Sequence, residues 1–174
     1  MAHFGRAVEY GLHVLVTLAS ARKDGEFSAK DLAEFHGVPP EYLAKTLAAL
    51  CKSGIVEAVE GFRGGYRLHR APGDISFLDV VDAIEGPNKR FFECKEVRQR
   101  CVINQGSESS LAASGVCAIH AVMIGAEKRM REFLASKTID EVANSLERKR
   151  PHELKVAADE WLNSRSSSKR LRTK

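Results

Sequence analysis

The fold of this chain is decided by residues 28–68, which read SAKDLAEFHGVPPEYLAKTLAALCKSGIVEAVEGFRGGYRL. Ser28, with an aspartate three residues later, forms a weak capping box that opens one helix, and Gly37 stands where a C-terminal glycine ends such a helix. Pro40 is suited to the first turn of a second helix, which Gly54 stops. Two short strands and the loop tip between them are predicted at residues 55–59, 66–68 and 61–65. Helix, tight turn, helix and hairpin follow one another in the order of a winged helix-turn-helix.

Helical periodicity flanks this motif on both sides. Apolar residues at steps of three and four indicate a first helix, namely Phe4, Val8, Leu12, Leu15, Val16 and Ala19. Ser76 caps a short helix that runs to Ile84, and Thr138 with Glu141 forms another capping box before a later helix. Residues 151–163 are predicted as a further helix, followed by a Ser- and Arg-rich end for which we predict disorder. We therefore predict a mainly α fold with a small β-hairpin wing.

The clearest periodicity in the chain is a two-position heptad stripe in its second half. Its members are Val116, Ile119, Met123, Ala126, Met130 and Phe133. A period of 3.5 residues is the signature of a helix that packs along another helix. We interpret the stripe as a long dimerisation helix of a homodimer; the alternative is an ordinary core stripe.

These patterns divide the chain into four segments. Residues 1–84 form the winged helix-turn-helix domain, and residues 85–110 form a loop that carries cysteines. Residues 111–147 hold the dimerisation helix and a short following helix, and residues 148–174 are a C-terminal extension with a basic tail.

Charge is unevenly distributed along the 174 residues. The chain carries a formal net charge of +4, but residues 165–174 hold five basic residues and no acidic one, which leaves residues 1–164 at −1. Any affinity for nucleic acid must therefore come from local patches rather than from a global field.

Other classes of protein are disfavoured by what the sequence lacks. No stretch approaches 18 consecutive apolar residues, and Arg6, Glu9 and His13 interrupt the N-terminal apolar run, so we predict neither a membrane span nor a signal peptide. We expect a cytoplasmic protein. There is no nucleophile–base pair, phosphate loop or HExxH motif, so we do not expect an enzyme or a small-molecule substrate.

Residues that could read DNA lie on the second helix of the motif and on the wing. The N-terminal residues of that helix contact base edges in the major groove, and glutamate, lysine and tyrosine can reach bases or phosphates there. The wing adds arginines that suit phosphates or the minor groove. The candidate contacts to double-stranded DNA are Ser28, Pro40, Glu41, Tyr42, Lys45, Thr46, Arg63, Gly64, Gly65, Tyr66 and Arg67.

Three cysteines have the spacing C-x6-C-x15-C, at Cys94, Cys101 and Cys117. This is neither a zinc-finger nor a ferredoxin spacing, and in a reducing compartment it leaves metal binding, redox chemistry or plain burial. Thiolates are the soft ligands that iron–sulfur clusters require. His36 and Glu9 are candidates for a further ligand. The fourth cysteine, at position 51, is expected in the core.

Over about residues 4–147 the chain resembles the IscR/NsrR/RirA-like winged-helix regulators, the Rrf2 family. The resemblance lies in Asp31-Leu32-Ala33, Tyr42-Leu43, Lys52-Ser53-Gly54-Ile55-Val56, Gly61-x-x-Gly64-Gly65-Tyr66-x-Leu68 and Ile84-Glu85-Gly86. It implies a homodimeric bacterial transcription factor, and in many members three cysteines after the Ile-Glu-Gly segment hold an iron–sulfur cluster.

Within that family, the surroundings of Glu9 and His36 look like the RsrR-type branch, a redox sensor whose [2Fe–2S] cluster has mixed ligands. The resemblance implies Glu9 and His36 on one iron, and Cys94 and Cys117 of the partner subunit on the other. The NsrR-type alternative uses all three cysteines and a carboxylate from the first helix. A [2Fe–2S] cluster is favoured over a [4Fe–4S] cluster.

The sequence thus predicts a repressor that senses redox state or nitric oxide through the cluster, whose state alters the placement of the recognition helices. Two alternatives stay open. One is a metal-free regulator in which Cys94 and Cys101 form a disulfide. The other is an iron–sulfur carrier that does not bind DNA.

Overall fold

A computed structural model describes residues 4–21, 26–60, 64–87, 89–90, 92, 102 and 117–165. Its helices and strands, in chain order, are α1 (Arg6–Ser20), α2 (Ala29–His36), α3 (Pro40–Lys52), β1 (Val56–Val59), β2 (Gly65–Leu68), a 3-10 turn (Pro72–Asp74), α4 (Phe77–Glu85), α5 (Ala118–Ala135), α6 (Ile139–Lys149) and α7 (His152–Arg165). The predicted mainly α fold with a hairpin wing is confirmed. In the described residues, no helix is both long enough and apolar enough to cross a bilayer.

The helix starts are set by the side-chain caps that the sequence predicts. The Ser28 hydroxyl accepts a hydrogen bond of 3.1 Å from the backbone N–H three residues later, and the Thr138 hydroxyl accepts an equivalent bond of 3.2 Å. Ser76 and Asp79 form a reciprocal capping box. Each cap satisfies N–H groups that the first turn of a helix leaves unpaired. Gly37 ends α2 in the left-handed region with φ of 63°, which favours glycine.

The wing is an antiparallel hairpin, and one residue from the segment before α2 pairs with its second strand. Val56 pairs with Leu68, and Phe27 forms a bridge to Tyr66 on the other edge of β2. The Tyr66 N–H donates to the Phe27 carbonyl at 2.8 Å, and the Phe27 N–H donates back at 3.3 Å. The wing is therefore fastened to the segment that leads into α2.

Gly65 faces this bridge, and we expect Gly65→Ala to destabilise the fold. A Cβ at position 65 would lie 2.7–2.8 Å from backbone atoms of Phe27, which cannot move without breaking the bridge. Overpacking of this kind costs about 1–3 kcal/mol. Urea unfolding measures the loss. Gly73→Ala is the control, because a Cβ there meets nothing within 4 Å, and its unfolding midpoint should be unchanged.

One hydrophobic core joins the helix-turn-helix to the helices at the end of the chain. Its fully buried side chains come from α1, α2, α3, the hairpin, α4, α6 and the segments that join them, namely Val14, Leu15, Phe27, Leu32, Leu43, Leu47, Leu50, Ile55, Val56, Ile75, Val80 and Ile139. Leu162 of α7 belongs to the same cluster, and Cys51 packs against it as predicted. The predicted helix at 151–163 is therefore confirmed, and it packs on the body of the protein.

The caps of α4 and α6 are held side by side. Ser76 and Thr138 form an isolated antiparallel bridge. The Phe77 N–H donates to the Lys137 carbonyl at 2.8 Å, and the Ile139 N–H donates to the Ile75 carbonyl at 2.9 Å. Two helices that lie more than 50 residues apart in the sequence thus start from one shared piece of backbone pairing.

Candidate functional site

The first turns of α3 present a polar surface. Pro40, Glu41, Tyr42 and Lys45 are exposed, while the Leu43 side chain between them is fully buried. The Tyr42 ring leans edge-on against Tyr10 of α1, with ring centroids 5.6 Å apart. The outer face of α3 is thus polar and accessible, as a helix that enters the major groove requires.

Thr46 does not lie on that surface. Only 3% of the residue is exposed, and its hydroxyl donates to the Tyr42 carbonyl at 3.1 Å. Positions 43, 46, 47 and 50 form the inner face of α3, so the interpretation of Thr46 as an exposed DNA contact is wrong. The helical phase places it one turn from Leu43 and Leu50.

The wing residue Arg67 is held by carboxylates. Its Nε lies 2.6 Å from Glu57 Oε1 on the opposite strand, and its Nη1 lies 3.8 Å from Glu26 Oε1. His69 also contacts Glu57, at 3.2 Å, and the hydrogen bonds from Arg67 and His69 hold the pKa of Glu57 below its usual value. Much of the charge of Arg67 is therefore balanced within the wing. Arg63 lies outside the described residues.

The other candidates near the wing differ in accessibility. Ser28 and Gly64 are both half-buried, and the Ser28 hydroxyl accepts the hydrogen bond that caps α2. Tyr66 packs against the core. Gly65 is buried, and the close approach that it permits is to the Phe27 backbone rather than to DNA, which corrects the expected role of that glycine.

A row of polar side chains on α1 leads to His36. Glu9, His13 and Thr17 follow at steps of four, which places them on one face of the helix. The Thr17 Oγ1 lies 3.1 Å from His36 Nε2, and the His13 and His36 ring centroids are 5.9 Å apart. Glu9 is exposed one turn before His13. Glu9 and His36, two of the predicted ligands, thus lie at opposite ends of this row of polar side chains.

His36 is electrically neutral at physiological pH. Burial, and then the charge of His13, lower the pKa of His36 to about 4. A neutral imidazole keeps a lone pair on one ring nitrogen, which is the form that binds a metal. The residue therefore has the protonation state that a ligand needs.

The cysteine part of the site is described only in part. Cys94 and Cys101 lie outside the described residues. Cys117 is half-buried at the N-cap of α5. Across the described part of a single chain, no three His, Cys, Asp or Glu side chains are grouped so that they could hold a metal ion. Glu9, His36 and Cys117 are therefore not brought together within one copy.

Sequence reasoning missed two residues beside His36 and one near Cys117. His13 and Thr17 could have been found from their spacing of four and eight from Glu9. His120, one turn into α5, has a buried Nε2 with no partner among the described residues, and its ring lies 6.1 Å from that of Phe92.

A groove of about 420 Å³ runs along the outer face of α1 beside α6. Its lining is mostly apolar and includes Leu12, Val16, Val142 and Leu146. Glu9 and His13 also line it. The candidate ligand Glu9 therefore borders an apolar surface that the described residues of the chain leave uncovered.

Helix α5 also presents apolar side chains to solvent. None of its 18 residues is buried, and Ile119, Val122 and Phe133 are 70%, 71% and 63% exposed. It touches the body through α4, where Arg131 Nη2 lies 2.8 Å from Asp82 Oδ2. Met123 and Met130 are half-buried. An apolar face of this extent on a single copy marks an interaction surface.

The helix-turn-helix, the polar outer face of α3 and the hairpin behind it define a winged helix-turn-helix protein. Comparison with known sequences agrees. Residues 4–145 match the model of the Rrf2 family, which is described as an iron-dependent transcriptional regulator. The chain belongs to the Rrf2 family and is a DNA-binding transcriptional regulator.

Individual relatives are similar in sequence. YffB of Lactococcus lactis, which bears the name of an HTH-type transcriptional regulator, is 32% identical over 136 residues, or 78% of this chain and 83% of its own. The HTH-type regulator CymR of Bacillus subtilis is 32% identical over 78 residues, covering 45% of this chain and 56% of its own.

Among structures, T. potens IscR is similar with a TM-score of 0.62 and 27% identity, covering 85% of this chain and 91% of that one. The oxidized form of Staphylococcus aureus CymR has a TM-score of 0.61 and 23% identity, covering 82% and 96%. The resemblance read from the sequence is confirmed at the level of the family. Assignment to the RsrR-type branch stays a prediction.

Proposed function

We propose that this regulator is a homodimeric repressor that senses redox state or nitric oxide through an iron–sulfur cluster. Glu41, Tyr42 and Lys45 contact base edges of operator DNA, and Ser28, Gly64, Arg63 and Arg67 lie along its backbone. Pro40 and Tyr66 stay predicted contacts, whereas Thr46 and Gly65 are left out of this contact set, since both are buried.

One observation carries the sensing part of the proposal. His36 is the last residue of α2, and only three residues separate it from Pro40, where the recognition helix α3 begins. Its ring is held against α1 by Thr17 and His13. Any change in what His36 binds therefore acts at the turn that sets the angle of α3.

The donor set of α1 and α2 fits an iron–sulfur centre with mixed ligands. Glu9 and His36 would supply one side, and Cys94 and Cys117 of the partner subunit would supply the other. A [2Fe–2S] cluster bound there supplies a one-electron change of charge. His36 offers a lone pair because it is neutral, and the Thr17 hydroxyl orients its ring. The NsrR-type alternative would use Cys94, Cys101 and Cys117 with a carboxylate from α1, and would hold a [4Fe–4S] cluster.

Two copies are needed for this site, and the open surfaces support a dimer. The exposed apolar residues of α5 and the apolar groove beside Glu9 both lack a partner within the described part of one chain. A dimer that covers both surfaces brings cysteines of one copy towards Glu9 and His36 of the other. The oligomeric state thereby becomes part of the sensor.

We expect His36→Ala to remove the redox response of DNA binding. Affinity for operator DNA is measured with reduced and with oxidised protein, and the ratio of the two dissociation constants should fall to about one, since the link between cluster and α3 is cut. A complete switch from 1% to 99% needs about a 10⁴-fold difference in binding between two states. His152→Ala is the control, because His152 is exposed at the start of α7. A variant at His36 that keeps the wild-type ratio contradicts the proposal.

A metal-free thiol switch is the second candidate, favoured by the likeness in fold to a CymR solved in an oxidized form. Cys94 and Cys101 would form a disulfide and pass two electrons and two protons to an oxidant such as a peroxide. Under this mechanism His36→Ala keeps the redox response, Cys101→Ser loses it, and the purified protein holds no iron.

A further inference from the structure

The C-terminal helix α7 packs against the first helix of the DNA-binding motif. The Trp161 ring contacts the Phe35 ring of α2 with centroids 5.1 Å apart, and Leu162 is buried in the core. The Arg165 guanidinium lies over the Trp161 ring, 4.7 Å from its centroid. Helix α7 lies beyond residues 4–145, which the family model matches, so membership of the family gives this contact no role.

Arg165, the last residue of α7, binds two carboxylates of α2. Its Nη1 and Nη2 donate to Glu34 at 2.9 and 3.1 Å in a bidentate contact, and Nη1 also donates to Asp31 Oδ1 at 3.2 Å. Bidentate contacts between a guanidinium and a carboxylate fix orientation as well as distance. The hydrogen bond from Arg165 lowers the pKa of Glu34, so this carboxylate stays charged beside the guanidinium. One cation of α7 is therefore shared by two anions of α2.

One of these carboxylates also belongs to the cap of α2. The Ser28 hydroxyl donates to Asp31 Oδ2 at 2.6 Å, and the other oxygen of Asp31 accepts from Arg165. In a helix-turn-helix the first helix crosses the DNA backbone, and N–H groups at a helix N-terminus can point at phosphates. The contacts of Arg165 therefore continue, through Asp31, to the end of α2 that is proposed to lie along the DNA backbone.

The charges of α2 alone disfavour a position beside phosphates. Its eight residues, AKDLAEFH, hold one lysine and two carboxylates, which sum to −1 because the histidine is neutral. Arg165 brings this sum to zero. Glu34 is exposed, so without the guanidinium its charge would act on a nearby phosphate through solvent and repel it.

We propose that Arg165 is a positioning residue for DNA binding, because it orients and screens the carboxylates of Asp31 and Glu34 on the helix that crosses the DNA backbone. It acts through α2 and not on the bases, so its effect extends to duplex DNA of any sequence. The inference rests on DNA binding by the helix-turn-helix, as in the proposed function, and is independent of the proposed cluster.

The first test compares the full chain with Arg165→Gln on a duplex of random sequence. Fluorescence anisotropy gives dissociation constants between 50 and 200 mM KCl. Loss of one positive charge beside the phosphates should flatten the slope of log affinity against log salt by about 0.5–0.9 per bound chain. The loss of affinity should therefore be about two- to three-fold larger at 50 mM than at 200 mM.

Glu34→Gln separates screening from a purely structural role of Arg165. Combined with Arg165→Gln, it restores a net charge of zero on α2 but not the ion pair. Screening predicts that the affinity and the slope of the double variant return to those of the full chain. Support of α7 alone predicts binding as weak as that of Arg165→Gln. Glu34→Gln by itself keeps the contact of Arg165 with Asp31, and it should bind more tightly than the full chain at 50 mM.

Lys155→Gln is the matched control on the same helix. It removes one positive charge from α7 and breaks an ion pair of 3.3 Å with Glu147 of α6. Lys155 lies ten residues before Arg165, which is about 15 Å along a helix, so its charge is largely screened from the carboxylates of α2. The salt slope of this variant should match that of the full chain.

A slope of Arg165→Gln equal to that of the full chain, absence of rescue by Glu34→Gln, or an equal loss of slope in Lys155→Gln would each overturn the proposal. These results leave DNA binding through α3 intact, whereas absence of binding by the full chain would overturn both. Every variant keeps the basic tail beyond position 165, which lies outside the described residues. Circular dichroism confirms that each variant is folded.

Discussion

Val122→Asp is expected to convert the proposed dimer into a monomer. Val122 is 71% exposed on α5, in the apolar face formed with Ile119 and Phe133. If a second copy covers this face, the variant buries a carboxylate without a partner. A polar group buried without a hydrogen bond costs about 2–7 kcal/mol, and a charge costs more, so the dimer dissociation constant should rise at least about 100-fold.

Sedimentation velocity across a range of protein concentrations measures this shift. Leu154→Asp is the matched control, since Leu154 is also a large apolar residue, 59% exposed, but lies on α7. It should leave the mass unchanged. Val122→Asp should also weaken operator binding, because two recognition helices no longer act as a unit. A Val122→Asp protein with the mass of the wild-type dimer would show that α5 is not the interface.

Leu47→Ala is expected to cause a large loss of stability through the recognition helix. Leu47 is fully buried on the inner face of α3, between Leu43 and Leu50. Removing a buried leucine side chain costs about 2–5 kcal/mol, because transfer energy is lost and a cavity remains. For a domain of ordinary stability that is a large part of the total.

Denaturant unfolding followed by circular dichroism measures the effect of Leu47→Ala. The same truncation at Leu154 is the control, because shortening an exposed leucine removes little buried apolar surface. Its free energy of unfolding should change by less than about 0.5 kcal/mol. A midpoint for Leu47→Ala equal to that of the control would show that the core around α3 is not as tightly packed as its burial indicates.

Local sequence signals predicted most of the helix starts. Ser28, Ser76 and Thr138 each cap the helix that was predicted to follow them, and Gly37 ends α2 at the predicted position. These features depend on groups three or four residues apart, so one sequence is enough to find them.

Features that depend on helical phase or on neighbours from another element were harder to predict. Thr46 is polar and directly follows the exposed Lys45, yet the helical phase of α3 turns it inward. Arg67 was predicted as a DNA contact of the wing, but the strand register places Glu57 directly opposite it. The residues of the heptad stripe also do not share one environment. Met130 packs towards α4, whereas Ile119 and Phe133 are exposed to solvent.

The ligand set shows the same limit. Glu9 and His36 were candidate ligands from the sequence and were placed on one iron by resemblance, but only the folded helices show that Thr17 and His13 lie against His36. Their positions on α1 follow a simple step of four, but the contact with His36 requires the packing of α2 on α1.

The bridge between Ser76 and Thr138 bears on how regulators of this kind can be recombined. Because α6 starts from the same backbone pairing as α4 and packs along α1, the segment after the cysteine loop completes the domain that precedes the loop. Consider a chimera that joins the DNA-binding domain of one regulator to the sensor segment of another by a single crossover near residue 84. In that chimera α1 would pack against an α6 that comes from the other regulator. The segment that can be exchanged between regulators is therefore the one from the end of α4 to the end of α5, with α4 and α6 on either side of it both kept from the recipient protein.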